Sequence, residues 1–575
     1  DKALLCANRV AEECERTQDA LLLEKHCVNT KLTHLLRLCP PRLTREAMNK
    51  FDRGMCDAFN RIVSEGPHGS TPVAKFGSDQ WEIATLPARH GGIGWTKLED
   101  IAPLAYISSR IQMLRGKVNN TNFDRLHPST SEPCFGFLDA KVPAEDQPSC
   151  ECSDDGDEPV GIGVEFRAAW DEAIELMGKE RFVKALCPAD VMPEPGSDEF
   201  NVYLLPTCLY PPKRSTWTPP GSCDSYYIDR TKGGRDLGSK KLKWQRMFTH
   251  AFHQGKADRI TTDMSVPDDL KVHMQSNKLM GPRLTFSTVP STRELELPND
   301  ELKFILYERF CTPNPRLALP ADVTCPLTSK VGNLCGSELN DRHFGLCKFG
   351  FSSTIETHDL MVSGFWLPQL KGVGLAAVAE RQGLVEHCHT DKRPADLSWV
   401  LNPQITLRGF DIGITDPLSS RGCRTPKDRP SLQARRPGYN VEKMEEDKLK
   451  NLHNLIINGR AASDTISPCC FESTGGAGKH AQKVIDALST VAHPGCDKDP
   501  VTLKKRAVWK THFYRLHTFA LIRTRYSVAE RKHYLIARTL HGKAGRSIPA
   551  HGVRVAAQAH CAGAQAKGNH ALMSP

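Results

Sequence analysis

Three short β-type runs between residues 396 and 473 constrain the fold more than any other feature of the chain. The runs read LSWVL, ITLRGFDIGIT and CCFES, and helical patterns lie between them. Short apolar runs that alternate with helices are typical of a unit in which helices pack on a sheet. The sequence therefore predicts an α/β unit in this part of the chain.

The remainder of the chain has a mainly helical pattern. Leu, Val, Met and Phe recur at spacings of three and four in residues 1–125, and a second helical block occupies residues 241–320. Residues 126–240 hold one amphipathic helix between acidic and Pro/Gly-rich insertions, which are typical of flexible segments. The chain is thus predicted to be an α+β multidomain protein, mainly helical in its N-terminal two-thirds, and we expect a disordered tail at 546–575.

Composition narrows the class of protein. No stretch of 18 residues is apolar and uncharged, and the first residues lack the basic and apolar pattern of a secretion signal. The 21 cysteines are scattered through 575 residues, which favours reduced thiols with one metal site as the exception. We therefore expect an intracellular protein with no membrane partner.

Four Cys and His residues within the segment 321–360 are spaced as zinc ligands can be. They form the array C-x9-C-x7-H-x3-C and are Cys325, Cys335, His343 and Cys347. Zinc binds four thiolate or imidazole ligands in a tetrahedron, and the H-x3-C half is a suitable chelating pair. The alternative is a set of unrelated thiols beside a surface histidine. Cys311 and His358 lie near enough in the sequence to replace one of the four ligands.

Two aspartates accompany the first two β-type runs. Asp396 precedes LSWVL, and Asp411 lies where the second run begins. Adjacent strands can bring two such carboxylates to one edge of a sheet, where a hard divalent cation such as Mg²⁺ or Mn²⁺ binds both and activates water. Glu386 and Glu472 are further candidate acids. The alternative for each acid is a solvated charge at the end of a strand.

Cleavage of a phosphodiester also needs a second positive charge, which orients water and offsets the charge that develops on the phosphate. In the commonest version of such a site this charge is a lysine two residues after the second acid, but that position here is Gly413. Lys448 and Lys450 lie on the helical pattern VEKMEEDKLKNLHNLI that follows. Either lysine could supply the charge from the helix.

A basic and aromatic stretch follows at 501–545. Residues 504–546 contain twelve lysines and arginines against the single acid Glu530, with Trp, Phe and Tyr between them. Such a helix can neutralise phosphates, and its aromatic rings can stack on unpaired bases. Alternatively, the rings dock on the α/β unit and leave the charges in solvent. A smaller basic loop lies at 421–440. The candidate nucleic-acid contacts, taken from these two segments and from the residues before the first β-type run, are Arg393, Arg435, Arg436, Lys504, Lys505, Arg506, Arg523 and Arg525.

The order of these motifs resembles that at the carboxyl-terminal end of non-LTR retrotransposon proteins, which nick target DNA and prime reverse transcription from the cut. The Cys/Cys/His/Cys array, RPADL, FDIGIT, the Lys-bearing helix and FESTGG follow one another as in their restriction-like endonuclease. CVNTKLTHLLR and ATLPARHGGIGW resemble the segment after the polymerase palm, and GPRLTFSTVP resembles the linker before the zinc knuckle. The resemblance covers most of residues 20–500.

The resemblance implies an α/β restriction-endonuclease-like domain with a small central mixed sheet, a zinc knuckle, and target DNA and element RNA as partners in the nucleus. The family's Lys/Arg-Pro-x-Asp motif falls on Arg393, Pro394 and Asp396, its second acid on Asp411, and its helical lysine on Lys448 or Lys450. The implied domains are a helical post-polymerase (thumb-like) region 1–125, a helix with insertions 126–240, a linker 241–320, the knuckle 321–360, the nuclease 361–500, a basic helix 501–545 and the tail 546–575.

Reverse transcriptase activity is not placed on this chain, because the sequence contains no palm motif of the Tyr/Phe-x-Asp-Asp kind. Two other readings of the same motifs remain open. One is a non-catalytic, nucleic-acid-binding remnant of such an element. The other is a host nuclease of similar fold that works in DNA repair.

Overall fold

The computed structural model describes residues 1–63, 76–119, 162–178, 181–182, 244–317, 319, 323–329, 331–339, 341–379, 395–399, 407–418, 436–457, 460–461 and 465–541. The predicted insertions, the tail, Glu386, Arg393, Pro394 and Arg435 lie outside these residues. The chain divides into two compact units. The first unit comprises Asp1–Asn8, Glu24–Ala58 and Trp95–Thr262, and the second comprises Arg9–Leu23, Phe59–Gly94 and Asp263–Pro575.

The described residues are mostly helical. In chain order the α-helices are α1 (Lys2–Glu13), α2 (Thr17–Leu23), α3 (Leu35–Leu38), α4 (Pro41–Val63), α5 (Ser78–Ala84), α6 (Leu98–Asn119), α7 (Ile162–Met177), α8 (Trp244–Thr262), α9 (Asp268–Ser276), α10 (Pro282–Thr285), α11 (Asn299–Arg309), α12 (Asp341–Leu346), α13 (Ser353–Met361), α14 (Leu367–Gly372), α15 (Tyr439–His453), α16 (Lys479–Ala492) and α17 (Pro500–His541). Short π-helical turns cover Glu24–Val28 and Val362–Trp366, and 3₁₀ turns cover Ala88–His90 and Arg293–Leu295. None of the helices in the described part of the chain combines the length and the apolar character needed to cross a bilayer.

In the first unit, a buried aspartate fixes the start of α6. The Asp52 carboxyl group accepts hydrogen bonds from the amides of Leu98 and Glu99, each at 2.9 Å. These amides have no partner within the helix, so the carboxylate satisfies two donors that would otherwise be buried and unpaired. Lys256 on α8 also donates to Asp100 in the first turn of α6, at 2.8 Å. Polar contacts at the N-terminal end of α6 thus stabilise the first unit, in addition to its apolar core.

The second unit contains a small mixed sheet. The strands are β1 (Ala377–Ala379), β2 (Leu397–Trp399), β3 (Gly409–Thr415), β4 (Ile456–Ile457), β5 (Arg460–Ala461) and β6 (Ile466–Glu472). The main sheet has the order β1-β2-β3-β6, in which β3 pairs antiparallel with β2 and parallel with β6, while β4 and β5 form a separate two-stranded pair. The predicted combination of mainly helical structure and a small mixed sheet is confirmed.

The two faces of this sheet are covered differently, because successive side chains of a strand point to opposite sides. On one face, Phe410 and Phe471 join a large apolar core with Trp366, to which α16 and α17 also contribute. On the other face, Cys470 packs with Val441 and Met444 of α15 in a small cluster. Asp411 and Gly413 alternate with the core residues of β3, so they face α15.

Helix α17 is 42 residues long and borders two apolar clusters. Phe513 and Tyr514 pack in the core beside the sheet, while Ala529 and Ile536 pack in the cluster that contains Cys325. Phe519 is fully buried as well. These three buried rings therefore dock on the protein, as the alternative interpretation of the sequence predicts, and they are not available to stack on bases.

Candidate functional site

The structure brings the two predicted aspartates together. Leu397 pairs with Phe410 in the antiparallel register of β2 and β3, so the preceding residue, Asp396, lies opposite the following one, Asp411. The Asp396 Oδ2 atom accepts a hydrogen bond of 2.6 Å from the amide of Ile412. The two carboxyl groups lie close enough to interact directly.

A lysine reaches this pair from α15. The Nζ atom of Lys448 lies 2.6 Å from Oδ1 of Asp411, and both side chains are partly exposed. Lys450, two residues later, is exposed at the surface of the helix, because residues two apart point in widely different directions around a helix. Of the two predicted lysines, only Lys448 is in contact with the acids.

Gly413 explains why the lysine comes from the helix rather than from the strand. A Cβ atom at this position would lie 2.5 Å from Sδ of Met444, 2.7 Å from Sγ of Cys470 and 3.0 Å from Cε of Lys448. These distances are too short for any side chain without movement of its neighbours. The space that a strand lysine would need is therefore filled by α15, and the Lys448 stem passes directly over Gly413.

A histidine that the sequence did not place in this site completes it. The Nε2 atom of His358, on α13, lies 3.0 Å from Oδ2 of Asp396, and its Nδ1 atom lies 2.9 Å from Oδ1 of Asp359. The sequence suggested His358 as an alternative zinc ligand, and this suggestion is wrong because its ring is held against Asp396. In the sequence, His358 was noticeable only because it lies near the Cys/His array. That position does not reveal its partner Asp396, which lies 38 residues away.

Burial and neighbouring charges shift the pKa values of the acids and of the histidine in this site. Burial raises the pKa of Asp411 to about 6, with a further contribution from the charge of Asp396 and an opposing one from Lys448. Burial also acts on Asp396, but its hydrogen bond and attraction to His358 outweigh it and lower the pKa of that carboxyl. Burial would lower the pKa of His358, yet its two carboxylate partners raise it to about 9. Two acids thus share a half-buried space with two cationic groups.

Glu472 lies away from this pair. It pairs with Thr415, four residues beyond Asp411 and about 13 Å along the strand. Its side chain is buried and accepts a hydrogen bond from Oγ of Ser276, which also contacts Oγ1 of Thr474 at 2.6 Å. The structure therefore removes Glu472 from the candidate catalytic acids.

Replacing Glu472 by glutamine is expected to make the stability of the chain less dependent on pH. Burial raises the pKa of Glu472 from 4.5 to about 7, so folding favours the neutral acid. The stability from this group is complete at low pH and is lost as the pH rises through about 7, whereas glutamine does not ionise. As the pH rises from about 5 to about 8, the free energy of unfolding of the variant should increase by about 2.5 kcal/mol relative to that of wild type. Urea unfolding at both pH values measures this gain, and an equal difference at both would contradict it.

The four predicted zinc ligands also converge. Cys325 and Cys335 lie on a short hairpin, in which the amide of Cys335 donates to the carbonyl of Leu327 at 2.8 Å and the amide of Gly336 donates to the carbonyl of Cys325 at 3.1 Å. His343 and Cys347 lie one turn apart on and just after α12. The four ligand atoms all lie within 4.8 Å of one another.

This geometry suits a metal such as zinc. Zinc-to-sulfur bonds of about 2.3 Å in a tetrahedron place ligand atoms about 3.8 Å apart, and Sγ of Cys335 lies 3.9 Å from Nε2 of His343. Cys311 is exposed and lies outside this group, so it is not needed as a replacement ligand. Lys532 of α17 is buried beside the cluster and donates to the carbonyl of Phe349 at 2.6 Å. Its ammonium group acts to lower the pKa of the Cys347 thiol, but burial has the larger effect and raises that pKa. A bound metal ion would itself favour the ionised thiol.

Three of the predicted nucleic-acid contacts serve the fold instead. Arg506 is buried and donates to the carbonyls of His493 and Gly495, at 3.0 and 3.1 Å, after the end of α16. Arg523 donates to the carbonyl of Arg293 at 2.8 Å. Arg525 forms a two-pronged ion pair with Glu308, at 2.7 and 2.6 Å. Guanidinium groups with such partners are not available to phosphates, which corrects the prediction for these arginines.

The other described candidates are at the surface. Lys504 and Lys505 are exposed near the start of α17, and Arg436 is more than half exposed while paired with Glu442. Lys479, at the start of α16, is also exposed and lies 3.0 Å from the same glutamate. These exposed side chains are accessible to phosphate groups.

Comparison of the chain with models of protein families, with curated proteins and with solved structures finds no match.

Proposed function

We propose that this chain is the metal-dependent, DNA-nicking endonuclease part of a non-LTR retrotransposon reverse transcriptase protein. The observation that carries the proposal is the convergence of Asp396, Asp411 and Lys448 at one place beside β3. Two carboxylates and one ammonium group, partly open to solvent, are the set that metal-assisted cleavage of a phosphodiester requires. The proposal includes a restriction-endonuclease-like fold for residues 361–500.

The acids have free capacity for a hard cation. One oxygen of each carboxylate already accepts from an N–H group, namely Oδ2 of Asp396 and Oδ1 of Asp411. The two carboxyl groups also interact directly with each other. A bound Mg²⁺ or Mn²⁺ ion, which prefers carboxylate ligands, would take the place of that direct contact. A bound ion would supply a Lewis acid and a water of lowered pKa. The ammonium group of Lys448 keeps Asp411 in place and offsets negative charge on the phosphate.

The surface charges suit a polyanionic partner. Lys504, Lys505 and Arg436 are exposed, and lysines and arginines of this kind neutralise phosphates without reading bases. The basic loop 421–440, which lies largely outside the described residues, follows directly after β3 in the chain. We propose target DNA and element RNA as partners, which places the reaction in the nucleus, with Zn²⁺ at the four Cys and His ligands.

A Mg²⁺ titration of plasmid nicking tests the proposal. The zinc-loaded 575-residue chain is incubated with supercoiled plasmid, and conversion to the open-circular form is followed as Mg²⁺ is raised. We expect no conversion without Mg²⁺ and a saturable increase with it, and Ca²⁺ serves as the control ion. Binding of plasmid without conversion at any Mg²⁺ concentration would instead identify the chain as a non-catalytic, nucleic-acid-binding remnant.

Lys448 and Lys450 form a matched pair for mutation. Lys448→Ala is expected to slow nicking about 100-fold, because the loss of one charge-stabilising group costs about 3 kcal/mol in the transition state. Lys450→Ala removes the same charge from the same helix without a contact to the acids, so its rate should stay within about twofold of wild type. Single-turnover nicking rates at saturating Mg²⁺ measure both, and equal losses would show that Lys448 acts only through general attraction of DNA.

A further inference from the structure

His358 lies where it can set the orientation of a catalytic acid. Its ring sits between Asp359, its neighbour on α13, and Asp396 at the start of β2, at 2.9 and 3.0 Å. The imidazole is about one quarter exposed, as is the carboxyl group of Asp396. The contact therefore joins the helix after the zinc-ligand segment to the acid that precedes β2.

Two hydrogen bonds converge on a single oxygen of Asp396. Oδ2 accepts from the amide of Ile412 on one side and from the His358 ring on the other. One donor belongs to the rigid backbone of β3 and the other to a helix, so the carboxyl group cannot rotate without breaking one of them. Oδ1 accepts from neither of these donors, so it is the oxygen that a metal ion shared with the neighbouring Asp411 would bind.

The helix that carries His358 is itself well anchored. Ser353 donates from Oγ to the carbonyl of Phe344 at 2.9 Å, and Glu356 forms an ion pair of 2.5 Å with Arg531 of α17. Because α13 is anchored in this way, the His358 ring loses little side-chain freedom when it forms its hydrogen bond with Asp396. The position of the His358 ring is thus fixed by the protein before any ion binds.

Both ring nitrogens are engaged, which defines the role of the residue. A carboxylate only accepts hydrogen bonds, so Nδ1 and Nε2 both donate and neither is left to exchange a proton with a substrate. Asp359 balances the positive charge of the ring, so the pair presents little net repulsion to a cation beside Asp396. Histidines and carboxylates behind metal ligands orient those ligands in the same manner.

We propose that His358 is a positioning residue that directs Oδ1 of Asp396 toward a divalent metal ion. This inference rests on the proposed function, since it assumes that Asp396 and Asp411 hold such an ion. It adds a residue from outside the strands and the lysine helix to the site. It also means that the segment between the zinc ligands and β1 contributes directly to the nuclease centre.

Direct titration with Mn²⁺ tests the proposal without relying on cleavage. The zinc-loaded full chain and its variants are titrated by calorimetry, and Asp411→Asn identifies the heat that belongs to the carboxylate pair. His358→Ala is expected to raise the Mn²⁺ dissociation constant about tenfold or more. His358→Gln, whose amide can donate from nearly the same place, should recover most of the affinity. Ile355→Ala, an exposed change on the same helix, should bind as wild type does.

Nicking kinetics provide a second readout. A positioning role predicts that His358→Ala needs about tenfold more Mn²⁺ for half-maximal nicking but regains most of its rate at saturation. A structural role would lower the rate at all metal concentrations, and glutamine would not rescue it. Unchanged or tighter Mn²⁺ binding by His358→Ala would overturn the proposal. If wild type binds Mn²⁺ at the carboxylate pair but cuts no DNA, the proposed function fails while the role of His358 stands on the titration alone.

Discussion

Asp411→Asn is expected to abolish nicking while leaving DNA affinity nearly unchanged. Asparagine has the same shape and can still accept from Lys448, but it lacks the negative charge that the proposed divalent cation needs beside Asp396. Loss of one metal ligand costs several kcal/mol of transition-state stabilisation, so the rate should fall by about 10³-fold or more. Initial nicking rates of supercoiled plasmid measure the loss, and fluorescence anisotropy with a labelled duplex measures binding.

The control for this experiment is Asp447→Asn. Asp447 lies beside Lys448 in the sequence but is exposed at the surface of α15. Its replacement makes the same change in net charge without altering the Asp411 carboxyl group, so nicking should continue. Asp411→Ala should behave as Asp411→Asn does. Nicking by either Asp411 variant at the wild-type rate would remove Asp411 from the catalytic centre, and with it the proposed function.

Cys347→Ser is expected to destabilise the second unit strongly. Cys347 is buried among the ligand atoms of the Cys/His cluster and packs against α17. Serine is a poor zinc ligand, and structural zinc sites contribute folding energy directly. A loss of about 4 kcal/mol corresponds to a fall of about 10 °C in the unfolding midpoint of a domain of this size. Thermal unfolding monitored by circular dichroism measures the midpoint, and a chromogenic chelator counts the zinc released on denaturation.

Cys311→Ser is the matched control for the zinc prediction. This thiol is exposed and lies outside the group of four, so the variant should keep one zinc per chain and the wild-type midpoint. Treatment of wild type with a strong chelator should reproduce the effect of Cys347→Ser. A wild-type chain that holds no zinc, or a Cys347→Ser midpoint equal to that of Cys311→Ser, would show that the cluster is not a structural metal site.

The local sequence pattern was sufficient to predict the site residues that lie on neighbouring strands or on a hairpin and the helix that follows it. Asp396 directly precedes β2 and Asp411 lies near the start of β3, so their proximity follows from the antiparallel register of these two strands. The four predicted zinc ligands lie on a hairpin and on and just after the short helix α12, and their spacing was enough to select all four as a group that could hold a metal. The presence of a sheet in this part of the chain also followed from the β-type runs. In each case the separation along the chain is short, and a single turn or strand pairing closes it.

The composition of α17 did not indicate which of its charged and aromatic side chains are exposed. The basic stretch of α17 is typical of a nucleic-acid surface, yet Arg506 is buried, the Arg525 side chain is only 11% exposed, and both are paired with acids. Phe513 and Tyr514 lie in the core. A helix with positive charge along much of its length can still bury one side, and the side it buries depends on its partners. Only Lys504 and Lys505 of the predicted contacts on this helix remain at the surface.

The sequence by itself placed two acids, a helical lysine and four predicted metal ligands in an order that resembles that of the nicking endonucleases of non-LTR retrotransposons. Only the tertiary structure selected Lys448 over Lys450, because the rotation of α15 depends on how Met444 packs against Cys470 and over Gly413. Only the tertiary structure brought His358 to Asp396, across 38 residues. Periodicity states which face a residue occupies on its own element. The distance between two elements is set by the side chains packed between them, and no local pattern encodes it.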